Sequence, residues 1–276
     1  LRVKVKEFKP ENMASVCGID ADTIREVARK YATSERSIIF WGMGISQHVH
    51  GTDNARCLIA LALSTGHVGR EGAGLHPLRG QNNVQGASDA GLIPMVFPDY
   101  RSVENPDFRG RLENLWGTKL DPNKGLTVVE IMNAVHKNII KGMYVQGENP
   151  AMSDPDQKHA REGFAMLDHL VVQDIFPTET AFFADVVLPA SSQAEKLGTY
   201  TNTNRQIQMG RPIVDLPGDS RQDWEVIVEI ANRIGCGWDY KDISDVFKEM
   251  SQTMASLDNI SWDRLLEEDA VTYPSS

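Results

Sequence analysis

Arg79 stands in the run HPLRGQNNVQG, residues 76–86, where amide and imidazole side chains surround one guanidinium and apolar residues are few. A guanidinium fork holds a carboxylate through two parallel hydrogen bonds. Gly80 lets the backbone close on a ligand, and Gln81 can donate or accept as needed. A structural arginine, paired with an aspartate or a carbonyl, is the alternative for Arg79 taken alone. The chemistry on offer is the grip of a small anion beside a neutral, hydrogen-bonding surface.

Three other stretches carry comparable potential. In WGMGISQ, residues 41–47, Gly42 and Gly44 allow backbone amides to approach a phosphate, with Gln47 behind them. A plain tight turn accounts for the same residues. In QGENP, residues 146–150, Glu148 and Asn149 could read a guanine edge, with Ser153 opening the next helix; a capped turn is the alternative. In VVQDIFPTETA, residues 171–181, Gln173 and Asp174 leave a buried run together, and Thr178 and Thr180 follow. An aspartate so placed can accept two ribose hydroxyls, and threonine capping of a helix is the competing explanation. His48 and His50 share a face only on a strand, and no third ligand lies near them, so they read as surface histidines. No G-x-S-x-G elbow supports serine nucleophilic catalysis.

The surrounding elements must carry these loops. Residues 20–34 predict an amphipathic helix capped by Asp20 or Asp22, with Ile24, Val27, Ala28 and Tyr31 on one face. Residues 36–47 predict a buried strand entering a tight loop, and 53–66 a mostly buried helix ended by Gly66. Residues 66–125 read as a long irregular tract, which in a compact domain signals function. Thr127 and Glu130 predict a capping box, with Val128, Ile131, Met132 and Val135 as the buried stripe. Residues 141–150 are expected to be a strand entering a loop, 170–181 a strand, then a loop, then a short helix, and 184–190 another strand. Helices are expected at 153–167, capped by Asp154 with Pro155 in the first turn, and at 222–235, with Ile227, Ile230, Ala231 and Ile234 inward. The tail from 241 reads as helical and then irregular. Alternating strands and helices imply an α/β fold of Rossmann-like parallel-sheet lobes. Each apolar run then ends in a polar loop, where open α/β sheets bind their ligands.

Composition narrows the classes. The chain has 276 residues, 41% apolar and 24% charged, which is ordinary globular composition. Its net charge of −10 disfavours nonspecific contact with nucleic acid or an acidic membrane. The apolar run 57–63 is far shorter than a membrane span. Cys17, Cys57 and Cys236 form no Cys-x-x-Cys, so no zinc or iron–sulfur site is expected on them; they read as buried thiols in a reducing compartment. The opening LRVKVKEFKP has no targeting pattern and reads as an internal cut.

Taken in order, FWGMGISQHVHG, GHVGREGAGLHPLRGQNNVQGASDAG, MYVQGENPAMSDPD, LVVQDIFPTETAFFADVVLPA and GTYTNTNRQIQ span nearly the whole chain. The series resembles the catalytic (alpha) subunit of molybdenum- or tungsten-dependent formate dehydrogenases, and is most similar to the NAD-linked, soluble bacterial type. The resemblance implies two molybdopterin guanine dinucleotides (bis-MGD) chelating one Mo or W. It implies that Arg79 holds formate's carboxylate, that Gly80, Gln81, Met43 and Gln47 face a pterin, and that Gly147, Glu148, Asn149, Ser153, Gln173, Asp174 and Thr178 line one guanine dinucleotide. It also implies formate and CO₂ as reactants, iron–sulfur and flavin-type partner subunits, and a cytoplasmic location without membrane insertion.

The chain departs from that family in places. The Cys-His or selenocysteine-His pair at the metal and the iron–sulfur cysteines have no counterpart here, so no metal ligand is assigned and iron–sulfur clusters belong to parts outside this chain. Asn204 and Arg205 stand where the family more often has an acidic residue and paired arginines. The chain is expected to be an internal piece of the subunit, inactive alone. Residues 1–80 are expected to complete one lobe, 81–220 to form a second, and 221–276 to return as helices. Another molybdopterin oxidoreductase, such as a nitrate reductase, is the rival enzyme; a non-catalytic dinucleotide-binding scaffold is the rival of a different class.

Overall fold

Asp20 caps the first long helix through both of its nearest amides, accepting from Asp22 N at 3.0 Å and Thr23 N at 2.9 Å. The structure, a computed structural model, describes residues 4–275. It divides into two compact units, one ending at Gly80 and the other beginning at Gln81.

In the first unit α1 (Pro10–Cys17) and α2 (Ala21–Thr33) precede β1 (Ile38–Trp41). Then follow α3 (Met43–Ser46), α4 (Gly51–Ser64) and β2 (Gly74–Pro77). β1 and β2 pair in parallel, Ile38 opposite Gly74 and Trp41 opposite Pro77, so both strands end at the same edge. The α3–α4 junction requires a glycine: a Cβ at Gly51 would lie 1.8 Å from Ser46 O. α4 is not the mostly buried helix its composition suggests. Only Gly51 and Ala62 are buried, and Leu63 is 60% exposed. The reason is the narrow sheet beneath it. Parallel strands want cover on both faces, yet Ile38 and Phe40 on β1 are exposed, at 46% and 58%.

The second unit begins with α5 (Val84–Asp89), the short antiparallel pair β3 (Val96–Phe97) and β4 (Arg101–Ser102), and α6 (Pro106–Trp116). It continues through α7 (Val128–His136), β5 (Gly142–Gln146), α8 (Pro150–Ser153), α9 (Gln157–Ala165), β6 (His169–Asp174) and β7 (Val186–Pro189). β8 (Gly198–Thr201), β9 (Gln206–Gly210), α10 (Asp223–Arg233), α11 (Ile243–Thr253), α12 (Trp262–Glu268) and β10 (Ala270–Thr272) complete it. β5, β6 and β7 form a parallel sheet in that order. One core joins this sheet to α7, α8 and α9 through Met132, Val145, Ala151, Phe164, Leu170 and Val172. A second core lies where the antiparallel sheet β10-β9-β8 meets α11 and α12, through Ile207, Phe247, Met254, Leu265 and Val271.

The α/β assignment with parallel strands holds, and several local expectations are corrected. The tract 66–125 contains β2, α5, β3, β4 and α6. α6 follows ordinary rules: Asn105 accepts from Asp107 N and Phe108 N, Pro106 opens the helix and Gly117 ends it left-handed. Asp156, not Asp154, caps α9, because α8 inserts before it. α10 buries Val226 and Ala231, while Ile227 and Ile234 are exposed. Val128 is exposed too, since it sits at the first position of α7 ahead of the buried Met132 and Val135. All three cysteines are free and exposed, not buried.

The capping box is present: Thr127 Oγ1 accepts from Glu130 N at 3.4 Å, and Glu130 Oε2 accepts from Thr127 N at 2.8 Å. That backbone bond, with the Thr127 hydroxyl second, holds the Glu130 carboxyl below its ordinary pKa. Thr127→Ala is therefore expected to destabilise the protein by about 1 kcal/mol, read in a denaturant titration.

Tyr240 gives an alkaline signature. Burial first, then its hydrogen bond to Glu249 at 2.6 Å, pushes the phenol up to about 12. An unfolded tyrosine ionises near pH ~10, so this contribution is complete below that pH and is lost as pH rises toward the folded value. Burial and Asp89 raise Tyr273 in the same direction. Thermal melts across this range should show Tyr240→Phe falling less steeply with pH than wild type. An equal slope would remove Tyr240 from the account.

Candidate functional site

Parallel strands deliver their following loops to one edge of a sheet. In the first unit β1 and β2 end side by side, and Leu78 N extends their pairing by donating to Trp41 O at 2.7 Å. Gly42 is the N-cap of α3, whose first residues are Met43 and Gly44, and Gln47 is its C-cap. The expected tight loop is thus one turn of helix. The loops after β1 and β2 approach each other: a Cβ at Gly42 would lie 3.8 Å from Leu78 O, and one at Gly80 would lie 3.9 Å from Met43 Cε. Met43, Gln47, Arg79 and Gly80 are exposed. Arg79 makes no hydrogen bond or ion pair among the described residues. His48 and His50 are exposed, and no group of three or more His, Cys, Asp or Glu among the described residues could hold a metal.

In the second unit Gln81 is exposed ahead of α5. The loops after β5 and β6 lock together. Gly147, at φ +62° with open space where a side chain would be, donates its N–H to Gln173 O at 2.9 Å. Glu148 is exposed and without a partner among the described residues. Asn149 Oδ1 accepts from Thr180 N at 3.0 Å and Thr180 Oγ1 at 2.8 Å, and its Nδ2 donates to Glu179 Oε2 at 2.6 Å. That bond is the largest cause of the lowered Glu179 pKa. The Asn149 side chain is thus engaged in clamping two loops. Thr180, fully buried, also accepts from Ala151 N at 3.1 Å. Ser153 is exposed at the end of α8 and does not open the next helix. Asp174 Oδ1 accepts from Ile175 N at 2.7 Å, and its other oxygen is without a partner among the described residues. Thr178 Oγ1 accepts from Ala181 N at 3.3 Å.

Gln173 is placed differently from its neighbour. Its side chain is fully buried, with Oε1 accepting from Tyr144 OH and Nε2 donating to Asp223 Oδ1 at 2.7 Å. Asp223 in turn pairs with Lys196, which also donates to Ser191 O at 3.1 Å. Both ends of the Gln173 amide are therefore bonded within the unit. Burial first, and the Asp223 charge second, raises the pKa of Tyr144 and of Tyr200. Tyr200, Lys196, Asp223, Trp224, Trp262 and Asn83 line a cavity of about 320 Å³. Sequence reading missed Tyr144, Lys196 and Asp223. They lie on three separate elements, and no spacing rule joins residues 144, 196 and 223.

The donor set suits a large polar cofactor. Two buried serine hydroxyls, Ser191 and Ser220, lack a hydrogen-bond partner among the described residues, and they adjoin the tip of β7. Glu148 and the free Asp174 oxygen provide acceptors at neighbouring tips. Within each unit, then, strand-end loops meet and leave polar atoms open to a bound group.

Comparison with known proteins identifies the family. The molybdopterin oxidoreductase family matches residues 6–233. The alpha subunit of an F420-dependent formate dehydrogenase from Methanocaldococcus jannaschii is 45% identical over 276 residues, covering 99% of this chain and 40% of that protein. The alpha subunit of F420-dependent formate dehydrogenase 2 from Methanococcus maripaludis is 41% identical over 268 residues, covering 96% of this chain and 39% of that protein. The chain thus spans about two fifths of the length of these relatives. The solved structure of acetylene hydratase from Pelobacter acetylenicus shares the fold, with a TM-score of 0.70 at 19% identity over 99% of this chain and 40% of that one. The described helices include none long and apolar enough to cross a membrane. The chain belongs to the molybdopterin oxidoreductase family.

Proposed function

We propose that this chain is part of a formate dehydrogenase catalytic subunit that oxidises formate to CO₂. The observation that carries the reading is the exposed Arg79 guanidinium, without a partner among the described residues, beside Gly80 at a strand tip. A fork held free of internal ion pairs is ready for a small carboxylate. The 45% identity to a formate dehydrogenase alpha subunit supports the same substrate.

The cofactor in this reading is a molybdopterin guanine dinucleotide carrying Mo or W, which when bound supplies the two-electron acceptor. Met43, Gln47, Gly80 and Gln81 would hold the pterin, with Gly42 and Gly44 allowing close backbone approach. Gly147, Glu148, Ser153, Asp174 and Thr178 would line a guanine dinucleotide, and Asn149 would act by fixing their loops. Arg79 binds the carboxylate and orients the C–H bond, a role of positioning and electrostatics. The electrons pass onward through iron–sulfur and flavin-type partner subunits to NAD. The F420-dependent relatives favour a second reading of that last step, with F420 as acceptor. A cytoplasmic location completes the proposal.

The test is metal and pterin analysis of the native enzyme containing this chain, with formate-dependent dye reduction. Bound Mo or W with dye reduction on formate is expected. Cofactor without formate turnover would move the substrate to another oxyanion such as nitrate. Absence of both would leave a scaffold role.

A further inference from the structure

Two glycines face each other across the β8–β9 hairpin, Gly198 opposite Gly210. Such a pair forgoes the cross-strand side-chain contact that stabilises a hairpin, and glycine in a strand often marks the close approach of another group. Gly210 is accounted for within the fold, because a Cβ there would collide with the Tyr200 ring. Gly198 is not. A Cβ there would meet nothing within 4 Å, and the residue lines the cavity of about 320 Å³ walled by β8, α10, α11 and α12.

The wall has a definite chemistry. Trp224, Trp262, Tyr200 and Phe247 supply aromatic surface. The Tyr200 hydroxyl and the Trp262 Nε1–H belong to half-buried side chains and have no acceptor among the described residues, although such groups usually find one when shielded from water. Asn83 Oδ1 accepts from Thr201 N at 2.9 Å, which leaves its Nδ2 as a third donor. The carboxylate in the wall is spent: Asp223 accepts from Gln173 on one oxygen and from Lys196 on the other. Lys196 and Asp223 thus line the cavity as a neutral pair. Of the neighbouring charges, Arg221 is held by Glu229 and Glu195 accepts from Ser192 N at 2.8 Å, which leaves Glu225, beside Trp224, against an anion. A cation would face Lys196 and three donors.

We propose that this cavity binds a neutral, flat aromatic ligand bearing a carbonyl, its rings along the tryptophans and its oxygen accepting from Tyr200. Apolar walls with a few convergent polar groups are the usual make-up of small-molecule pockets, and the volume lies at their small end, enough for two fused rings. Burial, and then the Asp223 charge, raises the pKa of Tyr200, so its hydroxyl stays a donor. The proposal goes beyond the formate reading and stands whether or not formate is the substrate.

The test uses the native enzyme containing this chain, with 2-acetonaphthone as probe, titrated by ligand-observed NMR. 2-Ethylnaphthalene keeps the shape without the carbonyl, and 2-naphthoate replaces the ketone with a charge. The ketone is expected to bind about fivefold tighter than either, the worth of one net hydrogen bond. Tyr200→Phe should weaken the ketone to the level of the hydrocarbon, leave the hydrocarbon unchanged and keep the melting temperature, since the hydroxyl has no internal bond to lose. Gly198→Val should fill the space and weaken both by about tenfold or more. Its Cβ meets nothing and the backbone there is not left-handed, so the fold should persist.

No saturable binding of the ketone to the wild-type enzyme would overturn the proposal. So would binding that neither substitution alters, which would put the ketone on some other apolar surface. Equal affinity for the hydrocarbon, or tighter binding of the naphthoate, would overturn the assigned ligand class. If Gly198→Val melts below wild type, Tyr200→Phe decides alone.

Discussion

Arg79→Lys is expected to lower kcat/KM for formate by about 10²-fold or more, with no change in melting temperature. Lysine keeps the charge but replaces a planar fork with a single compact ammonium, so the two-point grip on a carboxylate is lost. Stability should not follow, because Arg79 is exposed and makes no hydrogen bond or ion pair among the described residues for the substitution to break. Activity and stability therefore separate the readings of this residue. A structural arginine would show the reverse pattern, with a lower melting temperature and little kinetic effect. A loss confined to KM would mean that Arg79 only captures formate. A loss in kcat as well would mean that it also holds the anion as the C–H bond breaks. Steady-state kinetics on the native enzyme, with a melt of the same preparation, distinguishes these outcomes.

What the sequence could reveal depended on whether the signal was local. The Asp20 cap, the Thr127–Glu130 box and the parallel strands at 142–146, 169–174 and 186–189 rest on neighbouring residues or simple apolar runs, and they could be read directly. The β8–β9 hairpin was missed because TYTNTN mixes polar β-branched residues with turn formers, so alternation is weak. α6 was missed although its Asn-Pro start and Gly117 end are regular signals; the Gly- and Pro-rich surroundings masked them. The inward face of α10 was misassigned because Ile227 and Ile234 are as apolar as the residues that are buried, and tertiary context decided. The loops at the strand tips were legible as motifs. The split between Gln173 and Asp174 was not. Adjacent strand residues point to opposite faces, so Gln173 turns toward α10 while Asp174 closes on its own loop, and only packing reveals which side holds Tyr144 and Asp223.

Asp223→Ala is expected to destabilise the protein by on the order of 3 kcal/mol, the lower end for breaking a buried ion pair. The lower end applies because the Lys196 and Asp223 side chains retain 26% and 24% exposure, so solvent recovers part of the loss. Two groups nonetheless lose a partner: the Lys196 ammonium loses its countercharge and keeps Ser191 O, and the fully buried Gln173 Nε2 loses its acceptor. An unpaired buried amide is the larger burden, since water cannot reach it. Asp223→Asn should fall between, because the Asn carbonyl can still accept from Gln173 while the countercharge for Lys196 is gone. Replacing Lys196 with Met and Asp223 with Leu together should be milder than the sum of the single changes, since the double variant leaves no unpaired charge. Urea titration of wild type, Asp223→Ala, Asp223→Asn, the single Lys196→Met and Asp223→Leu variants and the double variant tests this, and an Asp223→Ala value within about 0.5 kcal/mol of wild type would remove the network from the account of stability. The functional consequence runs through Gln173. Freed from Asp223, its amide no longer fixes the end of β6, and Asp174 is the next residue along that strand. Guanine nucleotide content should therefore drop in Asp223→Ala and recover in part in Asp223→Asn, which keeps the Gln173 bond. If the two variants lost nucleotide equally, the Lys196 pair rather than the Gln173 bond would be what orders the tip.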